Sequence, residues 1–330
     1  VTFIGLKAGL FTGQGVECGG GILFESLDTD DWASESGQQP LARRVDWQSI
    51  RSVIPRRPRT AHKGRFGHVL VVAGDRGFGG AGLLAAEAAA RTGAGLVTLA
   101  TRPEYVSPAL ARCPSVMVQG LIHGSELPPL IEAADVIVCG PGIGQGAWGQ
   151  QMLQQVVASG KPRVLDADAL NLMASRVAQP AHNHILTPHP GEAARLLACD
   201  VAEIEEDRIG AAGRISQMFG GVVLLKGAGT VVAGGGAMPD IVSGSNPGMA
   251  TGGMGDVLSG VLGSLYAQLG DARAAASAGA ALHLAAADLA SETRGYMGLL
   301  PMDVIEALSQ VLVDSERRPD RRSVGVGGDE

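Results

Sequence analysis

The sequence predicts an α/β protein whose central sheet is largely parallel and covered by helices on both faces. Three observations carry this. Short β-rich runs alternate with longer helical patterns from about residue 68 to 230. The runs are continuously apolar, as in VLVVAG (69–74), which is the pattern of strands buried on both faces. Most are followed by glycine clusters, at the strand ends where open α/β sheets bind ligands.

The elements follow in order. Residues 1–27 hold two short apolar runs, 1–6 and 21–27, separated by glycines. Residues 28–65 are polar and carry Asp28, Asp30, Asp31, Pro40, Arg43, Arg44 and the run PRRPRT, so they read as a connection. The domain boundary is placed there, with one unit at 1–47 and the next beginning at 48. Then come VLVVAG (69–74), a helix over about 81–92, LVTLAT (96–101) and a helix near 103–112. DVIVCGPG (135–142), a helix near 147–159, RVLDAD (163–168), HILTPHPGE (184–192), a helix over 203–219 and VVLLKGAGT (222–230) continue the alternation. Three successive helices are expected at 252–269, 272–292 and 301–313, closing the second unit at 313. Residues 314–330 are charged and Gly-rich, as expected of a flexible tail.

Composition excludes several classes of function. A net charge of −7 and 4% aromatic residues leave neither a basic surface nor stacking platforms for nucleic acid. Four cysteines, at 18, 113, 139 and 199, form no C-x-x-C pair, which fits a reducing, cytoplasmic location rather than a disulfide framework or zinc site. No membrane span or signal peptide is expected: the most apolar long stretch, 274–290, contains His283 and Asp288 and reads as a buried helix. Glycine, at 49 of 330 residues, is about twice its usual ~7% and points to tight turns where backbone meets a ligand.

Gly77, Gly79 and Gly82 form a G-x-G-x-x-G between a strand and a helix. The next strand ends in Thr101 and Arg102 rather than an acidic ribose anchor, so the motif is either a dinucleotide fingerprint or a Gly-rich turn of another α/β fold. No Walker A loop exists, since Gly160 and Lys161 are followed by Pro162. The sharpest segment is NPGMATGGMGD (246–256), which runs into an apolar helix. A helix N-terminus presents unpaired N–H groups and partial positive charge, and glycines let an anion approach them. Asp256 there is either a base that takes a proton from an attacking hydroxyl or a helix cap.

Four further groups remain open at this level. KGAGT (226–230) is either a phosphate or ribose segment or a hairpin turn with Lys226 in solvent. His189, held between Pro188 and Pro190, is either a ligand contact or a solvated loop side chain. Asp166, Asp168 and Asn171 can hold Mg²⁺, or Asp168 caps the next helix. His62, Lys63 and Gly64 reach the groove or form a surface basic patch.

Seven segments occur in order over about 62–262: HKGRFGHVLVVAGDRGFGGAG, RTGAGLVTLAT, DVIVCGPGIG, LDADALN, TPHPGE, LLKGAGT and NPGMATGGMGDVLSG. Together they resemble the carbohydrate-kinase-related domain of ADP/ATP-dependent NAD(P)H-hydrate dehydratases, across roughly 50–313. Residues 1–45 resemble the closing segment of an NAD(P)H-hydrate epimerase domain. Epimerase activity is not expected from this chain. The resemblance implies a ribokinase-like three-layer α/β sandwich with a mostly parallel central sheet. It implies phosphorylation of the C6 hydroxyl of the S-epimer of hydrated NAD(P)H by ADP or ATP, with Mg²⁺, followed by loss of phosphate. With ADP the coproduct is AMP. By the same resemblance Asp256 is the base and Gly253, Met254 and Gly255 cradle the phosphoryl group. Lys226, Gly227, Ala228, Gly229, Thr230 and Gly255 hold the adenine nucleotide, and Ala81, Gly144, His189 and Asp256 hold the hydrated dinucleotide. No metal ligand is assigned. A homo-oligomer, often a tetramer in the family, is expected. The rival readings are a vitamin-precursor kinase of the same fold, a non-catalytic nucleotide sensor and a nicotinamide oxidoreductase.

Overall fold

The computed structural model describes residues 1–29, 37, 39–175 and 180–316. A ten-stranded sheet runs through the molecule. Its strands are β3 (Arg43–Val45), β4 (His68–Val72), β5 (Leu96–Thr101), β6 (Met117–Gly120), β7 (Val136–Cys139), β8 (Arg163–Leu165), β9 (His184–Leu186), β10 (Val222–Leu225), β11 (Thr230–Gly234) and β12 (Asp240–Val242). Across the sheet they lie in the order β3-β12-β11-β10-β9-β8-β7-β4-β5-β6. Only the β10–β11 and β11–β12 pairs are antiparallel. A separate two-stranded parallel sheet, β1 (Thr2–Phe3) with β2 (Phe24–Glu25), lies in the N-terminal segment.

Alternate side chains of the buried strands feed two cores. Val69 and Val71 of β4 face one helical layer, while Leu70 and Val72 face the other. Both faces therefore need apolar residues, and the strands read as continuous apolar runs. The first layer contains the Gly79–Arg91, Met254–Leu269, Ala272–Arg294 and Pro301–Glu316 helices; the second contains Ala147–Ala158, Asp168–Ser175, Pro190–Leu197 and Arg208–Phe219. This is the ribokinase-like three-layer arrangement expected.

Small residues set the depth of the first layer. A Cβ on Gly260 would lie 2.0 Å from the carbonyl oxygen of Ala85, so the Met254–Leu269 and Gly79–Arg91 helices touch backbone to backbone. The Ala272–Arg294 helix starts at Asp271, whose carboxylate accepts from the N–H groups of Arg273 and Ala274, and stops at Gly295 with φ of 67°.

The chain order reverses between β4 and β7. From β4 it runs outward through β5 and β6, then returns to β7 on the other side. Such a reversal opens a crevice at the carboxyl ends of the strands. There the Gly74 N–H donates to Pro141 O and the Asp75 N–H to Gly142 O, joining two of the predicted glycine clusters.

The structure departs from the sequence reading at several points, among them strands β6 and β12, which that reading did not foresee. The large sheet begins at Arg43, ahead of the boundary drawn at 48, because β3 is a polar edge strand with only Val45 buried. Its Arg43 pairs with the buried Asp240 at 2.8 Å. The helix expected over 203–219 is two, Val201–Glu206 and Arg208–Phe219, broken at Asp207, whose side chain accepts from the Gly210 N–H. The strand expected over 222–230 ends at Leu225 and turns back as β11, a hairpin. The last helix continues to Glu316, past the tail boundary at 314; the rest of that tail, 317–330, lies outside the described residues.

Candidate active site

The Met254–Leu269 helix begins at Gly253, which has φ of 94°. A Cβ there would lie 2.8 Å from Leu84 Cδ1 and 2.9 Å from Pro301 Cγ, so backbone freedom and lack of bulk are both required. Asp256 sits in the first turn, half-buried. Among the described residues its carboxylate makes no hydrogen bond or ion pair, so it is not a helix cap. Burial is the main cause that pushes its pKa up to about 7; Asp166 and Asp168 push the same way, and Lys226 opposes them.

Lys226 leaves the end of β10 and turns inward. The hairpin is real, yet the Lys226 ammonium is not in solvent: it lies 2.7 Å from Asp166 Oδ1 and 3.7 Å from Glu192 Oε2. Burial pulls its pKa down, but Asp166 and Glu192 carry it above the ordinary value, so it stays charged. Asp166 is itself buried, and its second oxygen accepts from Ser259 Oγ at 2.8 Å. Beneath the turn, the buried Arg208 donates to Lys226 O at 2.9 Å and pairs with Glu205.

His189 caps the Pro190–Leu197 helix. Its Nδ1 accepts from the N–H groups of Gly191 and Glu192, and its Nε2 lies 3.3 Å from Glu192 Oε1. Burial, then Lys226 and Arg195, hold its pKa below the ordinary value, so the ring is neutral near pH 7. Glu192 therefore links His189 to Lys226. Burial raises the Glu192 pKa.

A cavity of about 740 Å³ opens on the His189 and Lys226 side of this cluster; Asp256, Asp166 and Glu192 are not among the residues that line it. His189, Lys226, Gly227, Ala228, Thr230, Met254 and Gly255 line it, together with Glu17 from the N-terminal segment. Gly229 faces that segment instead, where a Cβ would lie 1.7 Å from Phe11 O. The Gly13 N–H donates to Ala228 O at 3.0 Å, so residues before the sheet brace the 226–230 turn.

Ala81 and Gly144 lie to the side, at the crevice between β4 and β7. A Cβ on Gly142 would meet Ala81 Cβ at 3.2 Å, and the Gly144 N–H donates to Asp168 Oδ2 at 2.9 Å. Asp168 is thus tied to the 140–144 loop and acts on Asp256. Asn171 is drawn away by Arg195, which donates to its Oδ1 at 2.9 Å. His62 stands just before the short Lys63–Phe66 turn, and all three of His62, Lys63 and Gly64 are exposed. The sequence reading missed Glu192, Ser259 and the Asp75–Arg102 pair, which is 2.6 Å long with Arg102 lying over the Trp148 ring. The position of Glu192, three residues after a capping His189, was the one available signal for it.

Among the described residues, no group of three His, Cys, Asp or Glu side chains is arranged to hold a metal ion. Nor is any helix among them long and apolar enough to cross a membrane. All four cysteines are free thiols, and burial pushes Cys139 up to about 12.

A family model described as NAD(P)H-hydrate dehydratase matches residues 69–310. The chain belongs to the NAD(P)H-hydrate dehydratase family. Relatives in this dehydratase family include a bifunctional NAD(P)H-hydrate repair enzyme of Escherichia coli, 46% identical over 94% of this chain. The chain spans 60% of that enzyme's length and 64% of a Coxiella burnetii counterpart's. An ADP-dependent (S)-NAD(P)H-hydrate dehydratase of Neisseria meningitidis is 40% identical over 77% of the chain and 88% of its own length. Among solved structures, an ADP/ATP-dependent NAD(P)H-hydrate dehydratase of Bacillus subtilis, co-crystallized with ATP/Mg2+, is 28% identical with a TM-score of 0.75. It covers 83% of this chain and 99% of its own. A ribokinase-like superfamily protein of Enterococcus faecalis has a TM-score of 0.78, at 30% identity over 85% of this chain and 99% of its own.

Proposed function

We propose that this chain dehydrates the S-epimer of hydrated NAD(P)H, phosphorylating its C6 hydroxyl at the expense of ADP. The observation that carries this is Asp256, an unpaired carboxylate in the first turn of the Met254–Leu269 helix, whose charge Asp166 and Asp168 disfavour and Lys226 favours. The hydroxyl loses its proton to Asp256 while its oxygen attacks the β-phosphorus of ADP. AMP departs. Elimination then breaks the C6–O bond and a C–H bond at the adjacent C5, so that phosphate and a proton leave, the C5=C6 double bond forms and NAD(P)H is restored.

The amides of Gly253, Met254 and Gly255 face the transferring group, and such donors stabilise charge as it develops. Lys226, Gly227, Ala228, Gly229 and Thr230 form the nucleotide side, Gly229 through the turn it shapes. Ala81, Gly144 and His189 form the side for the hydrated dinucleotide, on which neutral His189 offers a hydrogen bond without adding charge. Residues from β3 (Arg43–Val45) to about 313 carry the activity, and the segment before that strand belongs with an epimerase-like unit. A cytoplasmic homo-oligomer, a tetramer by the family resemblance, completes the reading.

Mg²⁺ fits this site only as it commonly binds in phosphoryl transfer, through phosphate oxygens and water. Both Asp166 oxygens are occupied by Lys226 and Ser259 and one Asp168 oxygen by the Gly144 amide, so Asp256 and the other Asp168 oxygen would be the carboxylate groups to hold its water. When bound, the ion neutralises polyphosphate charge.

The test is to incubate the chain with hydrated NADH, Mg²⁺ and ADP, and to follow reduced-nicotinamide absorbance and free phosphate. Equal recovery of both supports the reading. A persistent phosphate ester would instead favour a small-molecule kinase.

Gly255→Ala gives a second check. The added methyl would lie 3.4 Å from Lys226 Nζ and 3.6 Å from Asp166 Oδ2, which the fold tolerates. Alanine also favours a helix over glycine by ~0.5–1 kcal/mol. The variant should therefore melt no lower than the parent while its ADP affinity falls by at least about tenfold, as read by calorimetry.

A further inference from the structure

The segment ahead of β3 meets the 226–230 turn and the cavity at three points. The Gly13 N–H donates to Ala228 O at 3.0 Å. Gly229 is buried against the backbone of the segment: a Cβ on it would come 1.7 Å from Phe11 O and 2.8 Å from Thr12 Cα. Gly13 is also the residue on which the short Gln14–Gly19 helix starts, and Glu17 of that helix lines the cavity.

The segment is anchored as well as close. Phe11 packs against the second core, and the Arg44 guanidinium of β3 lies over its ring at 5.1 Å. The turn, by contrast, is held unevenly by its own unit. Its first residue is fixed, because the Lys226 N–H donates to Pro188 O at 2.8 Å and Arg208 donates to Lys226 O at 2.9 Å. Its middle is not: the Gly229 N–H lies 3.5 Å from Gly244 O, at the limit of a hydrogen bond. The shorter backbone bond to the middle of the turn is the one from Gly13.

A loop held in its binding shape before the ligand arrives spares the ligand the cost of ordering it. Such coupling is reciprocal. Whatever factor the segment adds to ligand affinity, the ligand adds to the hold on the segment.

We propose that residues 11–17 complete the donor-nucleotide site, with Gly13 as a positioning residue for the 226–230 turn, so that nucleotide binding and the docking of the N-terminal segment are thermodynamically coupled. The proposal rests on the reading of that turn as the nucleotide side of the site. Residues that belong with one unit thereby set the affinity of the other unit's site.

The test uses the full chain and its Gly13→Ala variant. Gly13 has φ of 56° and ψ of −136°, a conformation that a residue with a side chain rarely adopts. Space is not the obstacle, since a Cβ there would lie 3.5 Å from Glu205 Oε2 and 3.8 Å from Arg208 Cδ. The substitution therefore loosens the bond to Ala228 through backbone strain and not through a collision. ADP binding is measured by calorimetry, steady-state constants are measured for ADP and hydrated NADH, and amide hydrogen exchange is followed in the parent with and without ADP. Gly13→Ala should bind ADP about five- to tenfold more weakly, the worth of roughly one hydrogen bond. KM for ADP should rise in step, while kcat and KM for hydrated NADH stay unchanged. In the parent, saturating ADP should slow exchange over residues 8–17 by a similar factor. If the parent binds no ADP, the nucleotide reading fails and this proposal with it. If the parent binds ADP but exchange over 8–17 is unchanged, or Gly13→Ala binds ADP as tightly, the coupling is overturned. A parallel fall in kcat and rise in both KM values also overturns it, because that is the pattern of a merely structural role. If Gly13→Ala fails to fold, the exchange measurement on the parent decides alone.

Discussion

Asp256→Asn should lower kcat by about 10²–10⁴-fold while ADP still binds, because it removes the group that takes the hydroxyl proton and little else. Among the described residues the carboxylate has no hydrogen bond or ion pair to lose. Its raised pKa adds a second, independent signature. With a value of about 7, the base is half-protonated near neutrality, so kcat/KM for the donor should rise with pH and level off above about pH 7. The same shift sets a sign on stability. The folded chain binds this proton more tightly than the unfolded chain, whose carboxyl has the ordinary value of 3.8. The stability from that proton is complete below 3.8 and is lost as pH rises through about 7. Asp256→Asn should therefore be more stable than the parent at pH 8, by up to ~3 kcal/mol, with the gap closing at low pH. An inactive protein that melts higher is the pattern of a strained catalytic carboxylate. An inactive protein that melts lower is the pattern of a structural one.

Lys226→Met should have the opposite effect on stability. Lys226 is the cation held against Asp166, and Asp166 is almost fully buried. Removing one partner of a buried pair leaves an uncompensated charge and costs ~3–5 kcal/mol. Ser259 stays as a donor to Asp166, which places the expected loss at the lower end of that range. ADP affinity should fall with it, by at least about tenfold, because the phosphate end loses its charge. The two effects separate in the double variant Lys226→Met/Asp166→Asn. Neutralising Asp166 should restore most of the melting temperature and none of the ADP affinity. If the double variant regains affinity, Lys226 acts only by holding Asp166.

The parts of this site that were legible in the sequence are local. Asp256 follows a glycine cluster and opens an apolar helix, and both features lie within one short segment. The strands of the sheet core were legible because burial on two faces makes them continuously apolar. What was not legible joins distant residues. Lys226 meets Asp166 across 60 positions, and Ser259 meets it across 93. No local spacing encodes such pairs, so a solvated turn residue stayed open as a reading of Lys226. Asp166 and Asp168 read as either holders of Mg²⁺ or, for Asp168, a helix cap, and the fold gives one an ammonium and a hydroxyl and the other a backbone amide. β3 was hidden in a polar stretch because an edge strand needs only one buried residue, in this case Val45. The break at Asp207 was missed because the apolar periodicity runs on through it while its side chain caps the next helix.

The most direct measurement follows one oxygen atom. Hydrated NADH carrying ¹⁸O in its C6 hydroxyl is turned over with ADP, and the label is traced by mass spectrometry. Attack of that oxygen on the β-phosphorus, assisted by Asp256, places the ¹⁸O in inorganic phosphate. Recovery of the ¹⁸O in water instead would mean that the hydroxyl leaves without ever being phosphorylated. Asp256 would then not be the base for phosphoryl transfer, and its neighbouring amides would have no phosphoryl group to cradle.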